Sequence, residues 1–364
     1  MGVEQRIIDG EFVDLEGDTI PASSIRDLMI ADNLDPRGIR VRNAIIEGPL
    51  DLSDVHSKRP LVLRDCRADN RIVLDRAHLS SLDLTGLGAP AVSAAWLRLD
   101  HYLLMADARL DSTDDWALDL GEASIGGHLS LTGAHLAGQK YALHAPKLRA
   151  GSHVYVSGVH ATGIVRFDGA RLGGDLWLAG ARLHSDDDSA LLGVNMQVDD
   201  NVFLHRGFRA STGSSSAAIR IRGARIGGQL VLRSGRATGP VALDVKHVRV
   251  GMDLLFPIDF LDGLVALDGL TYSGVPRDAT FREWLDVLAT KTSGYASQPY
   301  LQLAAAHQAA GNERDVAASG SPSRKTCCGA DSSPGGGGCG TASPGRLSAT
   351  ATGPRRRCCG WRPP

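Results

Sequence analysis

The feature that most constrains the fold of this 364-residue chain is a repeated segment of 15 residues. The window AIRIRGARIGGQLVL, residues 218–232, recurs in similar form at six other places, and the copies from residue 117 onward start 25, 22, 26, 28 and 24 residues apart. Copy positions 13 and 15 are always apolar: Leu50/Leu52, Leu129/Leu131, Val154/Val156, Leu176/Leu178, Val202/Leu204, Leu230/Leu232 and Leu254/Phe256. Short apolar pairs separated by small residues and glycines are typical of two- to three-residue strands.

A period of this length, with such short strands, indicates a parallel β-solenoid, in which each coil buries its apolar side only against its neighbours. An α/β fold would need helical runs of ten or more residues between the strands, and the repeats contain none. We therefore predict a mainly β fold of about nine or ten coils between Ile39 and Tyr272. Small residues at copy position 7, such as Ala123 and Ala224, suit a cramped inner corner. The Gly-Gly pairs at positions 10 and 11 are expected to supply turns with positive φ.

Both ends of a solenoid expose strand edges and need a cover. At the front, Ser23 or Ser24 is expected to be the N-cap of a short helix that runs to about Ala31. At the back, one helix is expected over Asp278–Leu288 and a second from Ser297 or Gln298. The predicted organisation is an N-terminal segment with its capping helix (1–37), the solenoid repeats (38–274), a C-terminal helical pair (275–316) and a disordered tail (317–364).

The tail differs sharply in composition from the repeats. Residues 317–364 hold ten glycines and five of the six cysteines, but no Ile, Val, Phe, Tyr or Met. Such a segment buries too little apolar surface to offset chain entropy, so we expect it to be disordered. Its cysteines lack the paired spacing of zinc sites. The sixth, Cys66, occupies a corner equivalent to Ala77 and is predicted to be a small core residue.

Charge and motifs narrow the possible partners. The formal net charge of −2 lacks the strongly basic character of a nucleic-acid binder, so no nucleic-acid partner is expected. No run approaches the roughly 18 apolar residues that span a bilayer, and the start of the chain lacks the layout of a signal peptide. We therefore expect a cytoplasmic protein without a membrane span. The sequence has no dinucleotide fingerprint, P-loop or nucleophile elbow, so no catalytic residue is predicted and no cofactor is expected.

Stacking the copies places equivalent residues on neighbouring coils about 4.8 Å apart, in columns. Column 14 points outward between two inward positions and reads Asp51, Ser130, Tyr155, Trp177, Phe203, Val231, Leu255. Its last five members are apolar or aromatic, which indicates an interaction surface for a protein partner or a second copy of the chain. The alternative is that the C-terminal helices fold back over this column.

Two further columns carry charged or metal-ligating side chains. Column 8 contains Arg149, Arg171, Arg225 and Arg249. Stacked like charges repel, so these arginines are either solvated and locally paired, or face an anionic partner or lipid headgroups. Column 12 places His128, His153 and Asp175 side by side. They are candidate metal ligands, but most such polar ladders are merely solvated, so no metal site is predicted.

Several segments resemble known bacterial proteins. The front segment IIDGEFVDLEGDTIPASSIRDLM, followed by GIRVRNAIIEGPLDLS, resembles pentapeptide-like repeat proteins, which implies a right-handed, quadrilateral β-helix. The segments GARIGGQLVL, GARLGGDLWLAGARL and GYASQPYLQLAAAHQAAGNERD resemble a family usually labelled "membrane-associated oxidoreductase" or left uncharacterised. The likeness covers about Ile7–Val316 and is specific at Tyr295–Tyr300. It implies membrane helices after residue 316 and a place at the cytoplasmic face of the membrane.

The chain departs from this family pattern where those helices would begin, which suggests a frameshift shortly after Val316. If Thr326–Asp331 is encoded by GC-rich codons, another reading frame gives Leu-Leu-Arg-Arg, as the family would show. We interpret the tail as out-of-frame translation. A genuine Cys-rich tail is the alternative.

Taken together, these features favour a non-catalytic repeat scaffold that mediates protein–protein interaction. The alternative function is that of the family label, a membrane-associated oxidoreductase. Whether the chain is an enzyme stays open, because the redox function is suggested by the label alone and no cofactor motif accompanies it.

Overall fold

A computed structural model describes residues 2–292 and 294–311. The predicted disordered tail and the proposed frameshift lie outside these residues. The described chain is a stack of parallel coils, a β-solenoid of about ten turns with a few short helices, which confirms the predicted fold class.

Most coils pass through four short strands in turn, and equivalent strands of successive coils pair in parallel to form four faces. Face 1 is an 11-stranded sheet. Its strands are Phe12–Asp14, Ile39–Arg42, Leu61–Arg64, Leu82–Asp83, Leu103–Leu104, Leu129–Ser130, Val154–Tyr155, Leu176–Trp177, Val202–Leu204, Leu230–Leu232 and Leu254–Leu255. Face 4 is an 8-stranded sheet. Its strands are His78–Leu79, Arg98–Leu99, Ser124–Ile125, Arg149–Ala150, Arg171–Leu172, Gln197–Val198, Arg225–Ile226 and Arg249–Val250.

Faces 2 and 3 belong to one 16-stranded sheet, because four longer strands bend from one face into the other. These four are His135–His144, His160–Arg166, Arg236–Asp244 and Leu261–Ala266. The other strands of face 2 are Thr19–Pro21, Ile45–Glu47, Arg67–Ala68, Gly88–Ala89, Arg109–Asp111, Arg182–Ser185 and Arg209–Thr212. The other strands of face 3 are Ile72–Val73, Val92–Ser93, Trp116–Asp119, Leu191–Leu192 and Ala217–Arg220.

The core is a set of continuous columns of inward side chains. Leu129 and Leu131 are both fully buried, whereas Ser130 between them points outward, as the alternation along a strand requires. The predicted inner corners are confirmed, since Ala123 and Ala224 are also fully buried. Each coil therefore contributes one layer to a core that no single coil could enclose.

The tight corners need a left-handed backbone, but the Gly-Gly pairs do not supply it as expected. The positive φ angles lie instead at the turn residue just before the inward-facing corner residue, as at Glu122 (φ 56°), Lys147 (φ 55°) and Gly223 (φ 67°). The expectation for Gly227 and Gly228 was wrong, since neither has a positive φ.

The first glycine of each pair instead allows the backbones of successive coils to touch. A Cβ atom added to Gly227 would lie 2.1 Å from the carbonyl oxygen of Asp199, and one added to Gly126 would lie 2.1 Å from that of Asp100. Such distances leave no room for a side chain. The glycines at this corner therefore set how closely the coils stack.

Replacing Gly227 with alanine should destabilise the solenoid by about 1–3 kcal/mol, because the backbone must shift to admit the methyl group. The matched control is Gly88→Ala, since a Cβ at Gly88 meets nothing within 4 Å. Chemical denaturation of both variants checks this expectation. Equal losses of unfolding free energy would show that the corner is not closely packed.

In the described part of the chain, four α-helices lie at the two ends of the stack, together with a 3-10 helix at Ile258–Phe260. The helices are α1 (Val3–Ile8), α2 (Ala22–Ile30), α3 (Phe281–Thr290) and α4 (Ser297–Ala309). The predicted front helix is present as α2, but the expected N-cap at Ser23 or Ser24 is wrong. The N-cap of helix α2 is Pro21, two residues before Ser23, and it makes no side-chain cap hydrogen bond. Helix α3 begins with a capping box between Thr280 and Glu283.

Helices α3 and α4 contact the last coil and cover its open end. The ring of Trp284 in α3 lies 5.1 Å from that of Phe256, measured between centroids. In α4, Gln302 donates a 2.9 Å hydrogen bond to the carbonyl oxygen of Tyr272. These contacts place the helical pair on the strand edges that a solenoid must protect.

Cys66 behaves as the predicted core residue. Its side chain is buried, and burial raises the pKa of its thiol to about 11. We expect iodoacetamide to leave Cys66 unmodified in the folded protein at pH 8 and to modify it in denaturant, because only the thiolate reacts. Peptide mass spectrometry distinguishes Cys66 from the tail cysteines. Rapid native labelling of Cys66 would contradict the packing described.

Candidate functional site

The predicted apolar column lies on face 1. Neighbouring coils pair Ser130 with Tyr155, Tyr155 with Trp177, Trp177 with Phe203, Phe203 with Val231 and Val231 with Leu255. The placement of Asp51 in this column was wrong, because Asp51 pairs with Val73 on face 3. The copy that starts at residue 38 is shifted by two faces, and all faces share the same local pattern. Toward the N-terminus, Leu104 and Asp83 continue the column instead.

The aromatic members of the column stack on one another. The ring centroids of Trp177 and Phe203 lie 4.1 Å apart with an interplanar angle of 28°, and His205 meets both rings edge-on. Val231 is only 7% exposed, while Tyr155, Trp177 and Phe203 are partly exposed. The column therefore presents a strip of ring edges rather than open ring faces.

His205 adds no fixed charge to this strip. Burial, together with the nearby Arg206, lowers the pKa of its imidazole from the ordinary value. The ring is therefore mainly neutral at pH 7. The centre of face 1 remains apolar around Trp177 and Phe203.

The predicted arginine column lies on face 4 in the expected register. Arg149 pairs with Arg171, Arg171 with Gln197, Gln197 with Arg225, and Arg225 with Arg249. All four arginines are exposed, and none has an ion pair or side-chain hydrogen bond within the described residues. Gln197 divides them into two pairs. These guanidinium groups are solvated, and they are available to an anionic partner.

A second basic column on face 2 was missed. Its coils pair Arg109 with His135, His135 with His160, His160 with Arg182, and Arg182 with Arg209. The His135 and His160 rings stack with centroids 4.8 Å apart, and Arg182 contacts His160 Nε2 at 3.4 Å. The available signal was a shorter repeat of 11 residues inside the copies, which makes Arg182 equivalent to Arg171, as Leu183 is to Leu172.

The order of the faces brings these three columns together. Each coil passes through faces 4, 1 and 2 in succession, so face 1 lies between the two basic faces. The coil that carries Trp177 also carries Arg171 on face 4 and Arg182 on face 2. The apolar strip is therefore flanked by the arginine column of face 4 on one side and by the basic column of face 2 on the other.

Column 12 is a polar ladder at the corner between faces 4 and 1. The Asp175 backbone N–H donates to His153 Nδ1 (3.0 Å), the Asn201 N–H to Asp175 Oδ1 (3.0 Å), and the Gln229 N–H to Asn201 Oδ1 (2.8 Å). Each side chain thus satisfies a backbone donor of the next coil. This role explains polar residues at the corner without any ligand.

The candidate metal ligands are only partly brought together. Ligand atoms of His153, Asp175 and Asp200 lie within 4.8 Å of one another, whereas His128 contacts the rings of Tyr102 and Tyr155. Asp175 already accepts hydrogen bonds from the Asn201 side-chain amide (2.8 Å) and the Trp177 indole (3.3 Å). The carboxylate is thus engaged by the protein, and we interpret the cluster as structural.

Replacing Asp175 with alanine should destabilise the protein by about 1–3 kcal/mol, because the Asn201 N–H loses its acceptor. The matched control is Asp200→Ala, which removes an exposed carboxylate from the same cluster. Thermal unfolding measured with EDTA and with Zn²⁺ distinguishes a structural role of this cluster from a metal-binding role. Equal losses in the two variants, together with a zinc-dependent rise in Tm, would instead assign a metal site.

No protein-family model, curated protein or solved structure matches this chain. Within residues 2–292 and 294–311, no helix is long and apolar enough to cross a membrane. The fold defines the class, a parallel β-solenoid with helical ends, and the arrangement on faces 4, 1 and 2 is its candidate functional site.

Proposed function

We propose that this chain is a non-catalytic scaffold that binds a protein partner through face 1. The observation that carries this proposal is the apolar strip of Tyr155, Trp177 and Phe203, flanked by the arginine column of face 4 and the basic column of face 2. Protein interfaces commonly combine an aromatic centre with a polar rim, and their strongest contacts are enriched in Trp, Tyr and Arg. The strip has this composition on a rigid, flat support.

The charges indicate the chemistry of the partner. Arg149 and Arg171 on one flank, and Arg182 and Arg209 on the other, favour a partner with an apolar ridge edged by Asp and Glu. Two copies of face 1 placed together would bring these arginine columns against each other. Like-charge repulsion therefore favours a different, acidic protein over a homodimer.

The oxidoreductase of the family label is the alternative, and it rests on sequence resemblance alone. It would be supported by a flavin or nicotinamide absorption band in protein purified without added cofactor. A cofactor-dependent turnover that survives loss of the face 1 strip would favour it over the scaffold.

The test is the double variant Trp177→Ser and Phe203→Ser. Immobilised wild-type protein would first identify a partner in an extract of the source cells, and purified partner would then be titrated by calorimetry. Loss of two central aromatic contacts should weaken binding by about 30-fold or more. Higher salt should slow association, because the arginines steer an acidic partner.

The matched control is Trp116→Ser with Leu264→Ser, which removes an aromatic and an apolar side chain from face 3. This control should leave partner affinity unchanged. Equal binding by all three proteins, together with the same elution volume in size-exclusion chromatography, would contradict the proposed interface. Reduced binding by the face 3 variant alone would instead place the interface on face 3.

A further inference from the structure

A separate groove lies at the corner of faces 3 and 4, in the N-terminal half of the stack. Three successive coils each contribute two side chains to a groove with a volume of about 610 Å³. One row, at the corner, consists of Asp54, Arg76 and Trp96; the other, on face 4, consists of His56, His78 and Arg98. The site is thus built by the stacking itself.

Trp96 is the unexpected member of this groove. It adopts a left-handed backbone with φ 56°, and its side chain is 53% exposed. Equivalent corners are occupied by polar residues or glycine, such as Glu122, Lys147 and Gly223. A bulky aromatic side chain is disfavoured in this conformation and gains little from burial here.

The backbone contact of Trp96 does not explain the choice of residue. Its N–H donates a 2.8 Å hydrogen bond to the carbonyl oxygen of Gly121, and the equivalent Glu122 makes the same kind of bond to Pro146 (2.9 Å). Any residue except proline can make this bond. The indole is therefore unnecessary for the coil, which leaves a role for its exposed surface.

Most of the charged side chains around the indole are paired within the protein, but one of them is not. Arg76 forms two hydrogen bonds with Asp54 (2.7 and 2.8 Å), and His78 is bonded to Asp100 (2.9 Å). Arg98 has no ion pair or side-chain hydrogen bond within the described residues. An unpaired guanidinium, on the strand that follows the corner, thus lies two residues along the chain from an exposed indole. This combination suits an anion attached to a flat ring.

We propose that this groove binds a nucleotide, with the base stacked on Trp96 and the phosphate bound by Arg98. Indole rings stack on bases of any sequence, and guanidinium groups bind phosphate oxygens with two parallel hydrogen bonds. A volume of 610 Å³ is within the range of small-molecule sites. The site is independent of the face 1 surface and does not rest on the proposed scaffold function.

The test is calorimetric titration of the full-length protein with AMP, compared with adenosine and with inorganic phosphate. AMP should bind at least about tenfold more tightly than either fragment, because the site holds both parts of the molecule. Trp96→Asn should weaken AMP binding by about tenfold or more through loss of stacking. Its Tm should stay unchanged or rise, because asparagine tolerates a positive φ.

Arg98→Gln should also weaken AMP binding by about tenfold or more, with no change in the adenosine titration. The matched control is Arg225→Gln, an exposed arginine in the same face 4 column whose corner residue is Gly223. This control should bind AMP as the wild type does.

Any of three titration results would overturn the nucleotide site. They are no AMP binding by the wild-type protein, AMP binding that survives Trp96→Asn, and inorganic phosphate binding as tight as that of AMP. A marked fall in Tm of the Trp96→Asn variant would also overturn it, since Trp96 would then be retained for packing.

Discussion

Backbone hydrogen bonds between successive coils hold every other feature of this molecule in register. Leu131, Val156 and Leu178 each donate to the next coil, with N···O distances of 2.7, 2.7 and 2.8 Å. The glycine corners allow these backbones to approach without obstruction. Because the coils stack without sideways displacement, one residue type repeated in the sequence becomes a continuous column on the surface. The apolar strip and both arginine columns are consequences of this stacking.

The repeat made the solenoid predictable, since apolar pairs at a fixed period leave few other ways to bury them. The same argument placed the columns of Trp177 and Arg171 correctly, because the copies there align without ambiguity. It failed at Asp51, where the pattern of one face was mistaken for that of another. The pattern is the same on every face, so an alignment can slip by half a coil while each apolar residue stays buried.

Other features depend on contacts that no single repeat contains. The polar ladder through Asp175 needs the backbone of the following coil, so its hydrogen-bonding role emerges only in the stack. In the sequence, Trp96 is one more residue before a buried corner residue, Leu97. Its left-handed backbone and its exposure become apparent only in three dimensions. The clearest ligand-binding candidate is therefore the position where the local sequence is least suited to the fold.

The inward and outward residues of a coil have different neighbours, and this difference affects how such a surface changes in evolution. Inward residues are shared between layers and resist substitution, whereas each outward residue meets mainly its counterparts above and below. Gain or loss of one whole coil would lengthen or shorten all surface columns by a single step, with the remaining neighbours still in contact. In such a molecule, the number of coils sets the length of each surface column, and the one residue that each coil contributes sets the chemistry of that column.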